Sequence, residues 1–218
     1  MTTVFKISEP GDARVISVLA ETESYLVLDK PAGLLSVPGK TEPDCLEARV
    51  RAHFPDALTV HRLDMATSGI CVMARGKVNL ADLQQQFERR QTSKVYQAIV
   101  AGRITDDFGT VNAPMRCDWP NRPLQMIDHV QGRHALTHWS VLERMESTTR
   151  VRLAPVTGRS HQLRVHMMSI GHAIVGDDWY ADKDIAGASE RLLLHAHTLA
   201  FKDPQTGEKR SFSASCPF

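Results

Sequence analysis

The chain has 218 residues, of which 42% are hydrophobic and 23% are charged. This composition excludes a fibrous or intrinsically disordered chain, and the length is sufficient to bury a core without disulfide bonds. A formal net charge of +1 is too small for a protein that holds nucleic acid by bulk electrostatics alone.

Short apolar runs that end at turn residues, or that alternate with polar residues, predict the strands. In chain order we expect strands at 25–30, 69–74, 95–100 and around 151–153, and a closing hairpin of 192–201 and 210–215. A further extended piece is expected to end at 37–39.

Apolar residues at helical spacing predict three helices. Their inward-facing residues are Leu46, Val50 and Phe54 in the first, Leu80, Leu83 and Phe87 in the second, and Leu163, Met167 and Ile170 in the third. Asp44 and Glu47 have the spacing of a capping box for the first helix, and Arg164 lies off the apolar face of the third. Many strands with few helices predict an α+β fold with a mixed, largely antiparallel sheet flanked by helices.

Nothing in the sequence marks an internal domain boundary or a membrane segment. The apolar run 70–74 is too short to span a bilayer, and the N-terminal segment has no signal-peptide core, so we expect a cytoplasmic protein with no membrane contact. With no linker or repeat, we expect one domain over residues 1–218. The four cysteines form no C-x-x-C pair, which disfavours structural zinc and disulfides.

The segment 60–69 places His61, Arg62 and Asp64 directly before a predicted buried strand. Ionised side chains in such a position are costly unless they are paired. The alternative is that Asp64 caps a turn by accepting backbone N–H groups from Thr67 or Ser68. The residues alone leave both interpretations open.

A second polar cluster, 158–166, opens the third predicted helix, within a stretch, 147–176, that holds four arginines and no acid. Exposed N–H groups at a helix N-terminus favour anions, and RNA phosphate is one such anion. A solvated basic helix face is the alternative.

The histidine pairs do not form the pattern of a metal site. His161 and His166 are five residues apart, and the pairs His134/His138 and His195/His197 lack nearby cysteine or carboxylate ligands, so we expect those pairs to be partly buried structural residues and expect no metal. Phosphate-binding, dinucleotide-binding and esterase motifs are also missing, so the chain implies cofactor-free catalysis or none.

Five segments together resemble the pseudouridine synthases of the ribosomal large-subunit family. They are Val27-Leu-Asp-Lys-Pro-Ala-Gly33, His61-Arg-Leu-Asp-Met-Ala-Thr-Ser-Gly69, Lys94-Val-Tyr96, Gly158-Arg-Ser-His-Gln-Leu-Arg164 with His166, and Leu192-Leu-Leu-His195. The resemblance implies a pseudouridine-synthase catalytic domain with a central active-site cleft. It also implies isomerisation of uridine in RNA, in which the N1–C1′ bond breaks and C5 bonds to C1′, with no cofactor consumed.

The resemblance assigns the essential carboxylate to Asp64, as nucleophile at the sugar or as base at C2′, and its cationic partner to Arg164. Tyr96 matches the tyrosine that stacks on the target uracil, and Arg62 matches the position that fills the space left by the flipped nucleotide. A strand aromatic packed in the core is the alternative for Tyr96.

The stretch Cys117-Asp-Trp-Pro-Asn-Arg-Pro123 is most similar to family members that modify both 23S rRNA and the anticodon stem-loop of tRNA. About two dozen residues precede the first predicted strand, too few for an N-terminal S4-type domain, so we expect the catalytic domain alone to bind RNA, as a monomer. A non-catalytic RNA-binding or ribosome-assembly module and a nucleoside hydrolase or glycosylase are the alternatives.

Overall fold

The computed structural model describes residues 5–9 and 11–218. Its strands are β1 (Phe5–Ile7), β2 (Ile16–Glu21), β3 (Tyr25–Lys30), β4 (Ala57–Thr59), β5 (Ser68–Arg75), β6 (Ser93–Ala101), β7 (Phe108–Asn112), β8 (Met115–Cys117), β9 (Gln125–Ile127), β10 (Leu136–Arg144), β11 (Thr148–Pro155), β12 (Leu194–Lys202) and β13 (Lys209–Ser213). Its helices are α1 (Leu46–His53), α2 (Gly76–Glu88), α3 (Gln162–Ser169) and α4 (Lys183–Ala186).

The chain forms two compact units. The first contains the described residues up to Ser93 together with His195–Pro217, and the second contains Lys94–Leu194 with Phe218. The expectation of one catalytic domain over residues 1–218 stays a prediction.

In the first unit the strands run in the order β1-β2-β3-β5-β12, with β13 beside β12 and β4 also beside β5. β5 pairs antiparallel with β3 along its length and parallel with β12 at Ser68 and Gly69. One face of this sheet builds a core in which Tyr25, Val72, Leu83 and Phe201 are buried. Leu83 belongs to α2, so that helix packs on the sheet through the apolar face that its sequence predicts.

In the second unit β6, β11, β10 and β7 form an antiparallel run, and β8 and β9 form a separate hairpin. A small core of Met115, Ala135 and Val165 joins this hairpin to α3. Because its six residues from Gln162 to Met167 are all buried, α3 lies in the interior of the unit.

The predicted fold class is confirmed: the sheet is mixed and mainly antiparallel, with few helices. Strand β3 has the predicted bounds, and β5, β6 and the β12–β13 hairpin agree within two or three residues. In the part of the chain that the structure describes, no helix is both long enough and apolar enough to cross a membrane.

Several local predictions are wrong. The N-cap of α1 is Cys45, whose Sγ accepts from the Ala48 N–H, because the Asp44 carboxylate is held by two arginines instead. The piece before Val37 forms one isolated bridge and no strand.

The third helix also departs from its prediction. Ile170, expected inside, follows the end of α3 and is exposed, whereas Arg164, expected off the apolar face, is buried. His134 and His138, expected to be partly buried, are both exposed.

Candidate active site

Asp64 and Arg62 lie on the loop between β4 and β5, which we call the 60–67 loop. Asp64 is half-buried and Arg62 is exposed. The Thr67 N–H donates to the backbone carbonyl of Asp64 at 3.1 Å. The main chain therefore closes the turn that follows Asp64.

A second segment, residues 31–45, holds the 60–67 loop on both sides of Asp64. Before Asp64, the Ser36 hydroxyl donates to the Leu63 carbonyl at 2.6 Å and accepts from the Leu63 N–H at 3.0 Å. After Asp64, the Gly33 N–H donates to the Met65 carbonyl at 2.8 Å. These bonds fix the backbone one residue before and one residue after the carboxylate.

Lys30, at the end of β3, joins the same two segments. It is fully buried, and its Nζ donates to the carbonyls of Pro31, Leu34 and Met65 at 2.9, 2.8 and 3.1 Å. Burying an ammonium group requires hydrogen-bond partners of this kind. Lys30 therefore has a clear role in ordering the backbone around Asp64.

An ionic network anchors the far end of the 31–45 segment. The Asp44 carboxylate accepts from Arg14 at 2.8 Å and from buried Arg49 at 2.6 Å, and both arginines also pair with Asp12. Hydrogen bonding to Arg49 lowers the pKa of Asp44. Arg14 also donates to the Gly33 carbonyl at 3.1 Å, so the network reaches the residue that bonds to the 60–67 loop.

β5 fixes the other end of the 60–67 loop. The Ser68 hydroxyl lies 2.9 Å from Nδ1 of buried His195 on β12. A Cβ on Gly69 would lie 2.3 Å from the Ala196 carbonyl oxygen, and Gly69 has φ of +113°. Only glycine fits at this close approach of two strands.

His61 joins the same loop to β5 and α2. Its Nε2 accepts from the Val72 N–H at 3.2 Å, and its ring stacks on Phe87 with centroids 4.5 Å apart. Among residues 5–9 and 11–218, no group of three or more histidine, cysteine or acidic side chains has the geometry of a metal site.

The second unit carries the other two residues that the sequence singles out. Tyr96 is half-buried on β6, where it pairs with Leu153 of β11. Arg164 lies on α3 and is bound in a bidentate manner by Asp177, with Nε–Oδ2 and Nη2–Oδ1 distances of 2.8 and 2.6 Å. The side chains of this pair are 5% and 0% exposed, so it is a buried ion pair.

Aromatic rings complete the surroundings of Arg164. Its guanidinium carbon lies 4.9 Å from the ring centroid of Trp179 and 5.0 Å from that of Tyr180. Asp177 Oδ1 also accepts the backbone N–H groups of Trp179 and Tyr180 at 3.0 and 3.1 Å. One carboxylate therefore positions both the arginine and the rings that pack against it.

Sequence reasoning missed Asp177. A signal was available, because Asp177 directly follows the acid-free stretch 147–176 and is therefore the first carboxylate after Arg164. The partner assigned from the resemblance was Asp64, and the pairing of Asp64 with Arg164 stays a prediction.

The start of α3 is ordered by buried polar groups rather than solvated as a basic face. Gln162 Oε1 accepts from the Thr157 hydroxyl and the Arg159 N–H at 2.7 and 3.0 Å. His166 lies between the Thr137 hydroxyl and the Ala113 carbonyl, 2.9 and 3.0 Å from its two ring nitrogens. Burial lowers the pKa of His166, and both of its ring nitrogens have protein partners, as in a structural histidine.

The sequence matches the family described as RNA pseudouridylate synthase over residues 24–169. It is 47% identical over 205 residues to the dual-specificity RNA pseudouridine synthase RluA of Vibrio cholerae, a match that covers 93% of this chain and 84% of that protein. Its identity to the protein of the same name from Haemophilus influenzae is 46% over 206 residues, covering 93% and 94% of the two chains.

A solved structure has the same fold. Human RNA pseudouridylate synthase domain containing 1 superposes with a TM-score of 0.82 at 29% sequence identity, and the match covers 97% of this chain and 87% of the human chain.

Proposed function

The chain belongs to the RNA pseudouridylate synthase family, and from this premise we propose that it isomerises specific uridines to pseudouridine in 23S rRNA and in the anticodon stem-loop of tRNA. The support is the name shared by relatives that are 46–47% identical over nearly the whole chain. No observation supports a non-catalytic RNA-binding module. We further propose that the protein works as a monomer in the cytoplasm, where both RNAs are found.

The observation that carries the proposal within the structure is the rigid support of Asp64. The backbone is hydrogen-bonded at Leu63 and at Met65, and the turn behind it is closed at Thr67. The reaction is faster when the carboxylate is held in a fixed position relative to the one carbon of the flipped sugar that it must reach. We assign Asp64 as the nucleophile at C1′ or the base at C2′ of the target uridine.

The reaction is an isomerisation, so atoms balance within the substrate. The N1–C1′ bond breaks, the uracil turns over, and a C5–C1′ bond forms while the C5 proton is lost and N1 gains a proton. Tyr96 is proposed to stack on the uracil. Arg164 is proposed to stabilise the charge of Asp64 in a bidentate pair, through the guanidinium N–H groups that Asp177 does not bind.

Arg62 is proposed to occupy the space that the flipped nucleotide leaves in the RNA. It is exposed and lies two residues before Asp64 on the same loop, so a guanidinium entering the RNA and a carboxylate reaching the sugar are connected by a short, fixed backbone. Flipping costs a few kcal/mol of base stacking, which contacts of this kind must offset.

Tritium release from RNA containing [5-³H]uridine tests the proposal. A tRNA anticodon stem-loop and a 23S rRNA hairpin with the same loop sequence are incubated with the wild-type protein and with Asp64→Asn. We expect turnover of both RNAs by the wild type and release at background by the variant, because the amide cannot act as nucleophile or base. Failure of the wild type on both hairpins, with turnover of intact ribosomal subunits, would refute recognition of the loop alone.

A further inference from the structure

The hairpin β8–β9 and the turn that follows it project an exposed aromatic surface that the reaction does not use. We call residues 115–134 the β8–β9 lobe. At its tip Trp119 is 62% exposed, and on the following turn Val130 is 91% exposed. Large exposed apolar side chains grouped on one element mark an interaction site more often than a random surface does.

Hydrogen bonds order the backbone around Trp119. The Asp118 N–H donates to the Leu124 carbonyl at 2.9 Å, and the Leu124 N–H donates to the Asn121 carbonyl at 3.0 Å. The Asn121 side chain also donates to the Asp118 carboxylate at 2.9 Å. These bonds close the loop across its base. Because the loop is already ordered, the protein loses little conformational entropy when a partner binds there.

A cation already lies on this surface. The guanidinium carbon of Arg122 is 4.5 Å from the ring centroid of Trp119, and both side chains are exposed. The planar guanidinium and the indole together offer a cationic stacking face.

The charge around this face is suited to an anion. Asp128 is turned inward, where it accepts the N–H groups of Val130 and Gln131 and pairs with Arg116. Hydrogen bonds from the Gln131 N–H, the Arg116 side chain and the Val130 N–H lower the pKa of Asp128 to about 2. Asp118 keeps its charge, although it accepts from the neutral Asn121 amide, and Arg122 and Arg133 are exposed. With three arginines against two aspartates, the lobe carries a formal charge of +1.

The lobe is attached directly to the surroundings of Arg164. The Gln125 N–H donates to the Tyr180 hydroxyl at 2.8 Å, and that hydroxyl lies 2.6 Å from Nδ1 of His161. Tyr180 also packs on the Arg164 guanidinium. Gln125 of the lobe is thus connected through Tyr180 to the arginine assigned to the reaction.

We propose that Trp119 and Arg122 form a stacking platform for an unpaired base of the RNA substrate, a base other than the uridine that reacts. Every base has a π-face that can stack on an indole, and a guanidinium adds attraction to a base or a phosphate. An acidic protein surface is the alternative partner, and the binding measurements below distinguish it from an RNA base. This inference rests on the proposed function, because it takes the substrate to be a structured RNA loop.

Binding measurements in the Asp64→Asn background test the platform without turnover. A fluorescein-labelled anticodon stem-loop is titrated by anisotropy with Asp64→Asn alone and with Trp119→Ala, Trp119→Phe or Phe108→Ala added. Stacking on one base predicts a loss of affinity of about 5- to 150-fold for Trp119→Ala, with most of it restored in Trp119→Phe. Phe108, an aromatic residue 77% exposed on β7 of the same unit, is the matched control, and its variant should bind as the parent does.

A scan of the RNA identifies the base. Hairpins with a single abasic loop nucleotide should bind the parent more weakly at one position, and at that position Trp119→Ala should cause no further loss. Arg122→Ala should reduce the slope of log affinity against log salt by about 0.7, as expected for one phosphate contact on a single strand.

Two results separate the possible failures. If Trp119→Ala binds every hairpin with the affinity of the Phe108→Ala control, the platform is refuted and the lobe becomes a candidate surface for a protein instead. If the platform variants lose affinity while the wild-type protein releases no tritium from any RNA, the proposed function fails and the RNA-binding inference stands.

Discussion

We expect Asp177→Asn to weaken the buried ion pair with Arg164 while the fold around the pair is kept. The amide keeps one oxygen, which we expect to stay with the N–H groups of Trp179 and Tyr180. Its NH₂ then faces the Nε–H of Arg164, so one charge-assisted hydrogen bond is lost and one carboxylate fewer neutralises a buried guanidinium.

The size of the effect follows from the burial of both partners. Both side chains are at most 5% exposed, and removing one partner of a buried pair costs about 3–5 kcal/mol. Since asparagine retains one acceptor, we expect the lower end, about 3 kcal/mol. In a chain of this length that corresponds to a decrease of roughly 6–12 °C in Tm.

The assay is urea unfolding followed by far-UV circular dichroism, with Asp107→Asn as the control. Asp107 pairs with Arg144 at 2.7 Å, but its side chain is 80% exposed, so that variant should lose less than about 1 kcal/mol. Tritium release measured in parallel should show a lower kcat for Asp177→Asn, because Arg164 is no longer oriented.

A double variant tests whether the loss of activity is more than a loss of stability. Arg164→Met with Asp177→Leu replaces the pair by apolar groups, which commonly restores stability to a buried site, and it should fold without turnover. An Asp177→Asn protein with wild-type midpoint and kcat would refute the assignment of Asp177 as the residue that positions Arg164.

Four further outcomes are expected. Asp64→Asn should lose turnover but bind the RNA hairpin within about twofold of wild type by anisotropy; full turnover would exclude Asp64 as the essential carboxylate. Arg164→Ala should lose both stability and kcat, and Arg164→Lys should recover only part, since an ammonium cannot bind a carboxylate in a bidentate manner; complete recovery in urea unfolding and tritium release would argue against such pairing. Excess EDTA should leave tritium release from a short hairpin unchanged at low salt, and a loss reversed by zinc alone, with the RNA fold intact, would reveal a metal requirement. Burial lowers the pKa of His166 from 6.5, so below pH 6.5 the unfolded chain binds a proton that the folded chain does not. The free energy of unfolding should therefore fall as the pH drops below 6.5. His166→Gln should flatten this dependence in urea titrations between pH 5 and 7, and an unchanged slope would show that His166 does not cause it.

Periodicity in the sequence predicted the elements whose residues have one clear environment. β3 and β5 are continuous apolar runs buried on both faces, and α2 has one apolar face, so their patterns identify them. α3 was predicted as a helix, and Leu163 and Met167 are buried as expected. The burial of Arg164 was not predicted, because an interior helix that buries Gln162 and Arg164 among polar partners has no single apolar face. The short strands between 108 and 127 carry three to five residues each, too few to show an alternation.

The candidate site also contains residues that local sequence could predict and residues that it could not. Asp64, Tyr96 and Arg164 were singled out by resemblance of local motifs, which names residues but not their partners. Ser36, Lys30 and Asp177 act through contacts with residues distant in the chain or through main-chain atoms, and those contacts depend on the three-dimensional fold. The capping of α1 by Cys45 shows the same limit, because Asp44 is the better cap by residue type and is withdrawn from that role by Arg14 and Arg49.

The order of synthesis gives the Ser68–His195 contact a further consequence. These residues are separated by 127 positions, and all of the second unit except Phe218 is translated between them. Until β12 emerges from the ribosome, β5 lacks its parallel neighbour at Ser68 and Gly69, the point where the 60–67 loop joins the sheet. Contacts of such high sequence separation form late and slowly. We therefore expect the end of the loop at Ser68 to reach its final geometry only after β12 has been made, whereas the contacts of Leu63 and Met65 with residues 30–36 can form earlier.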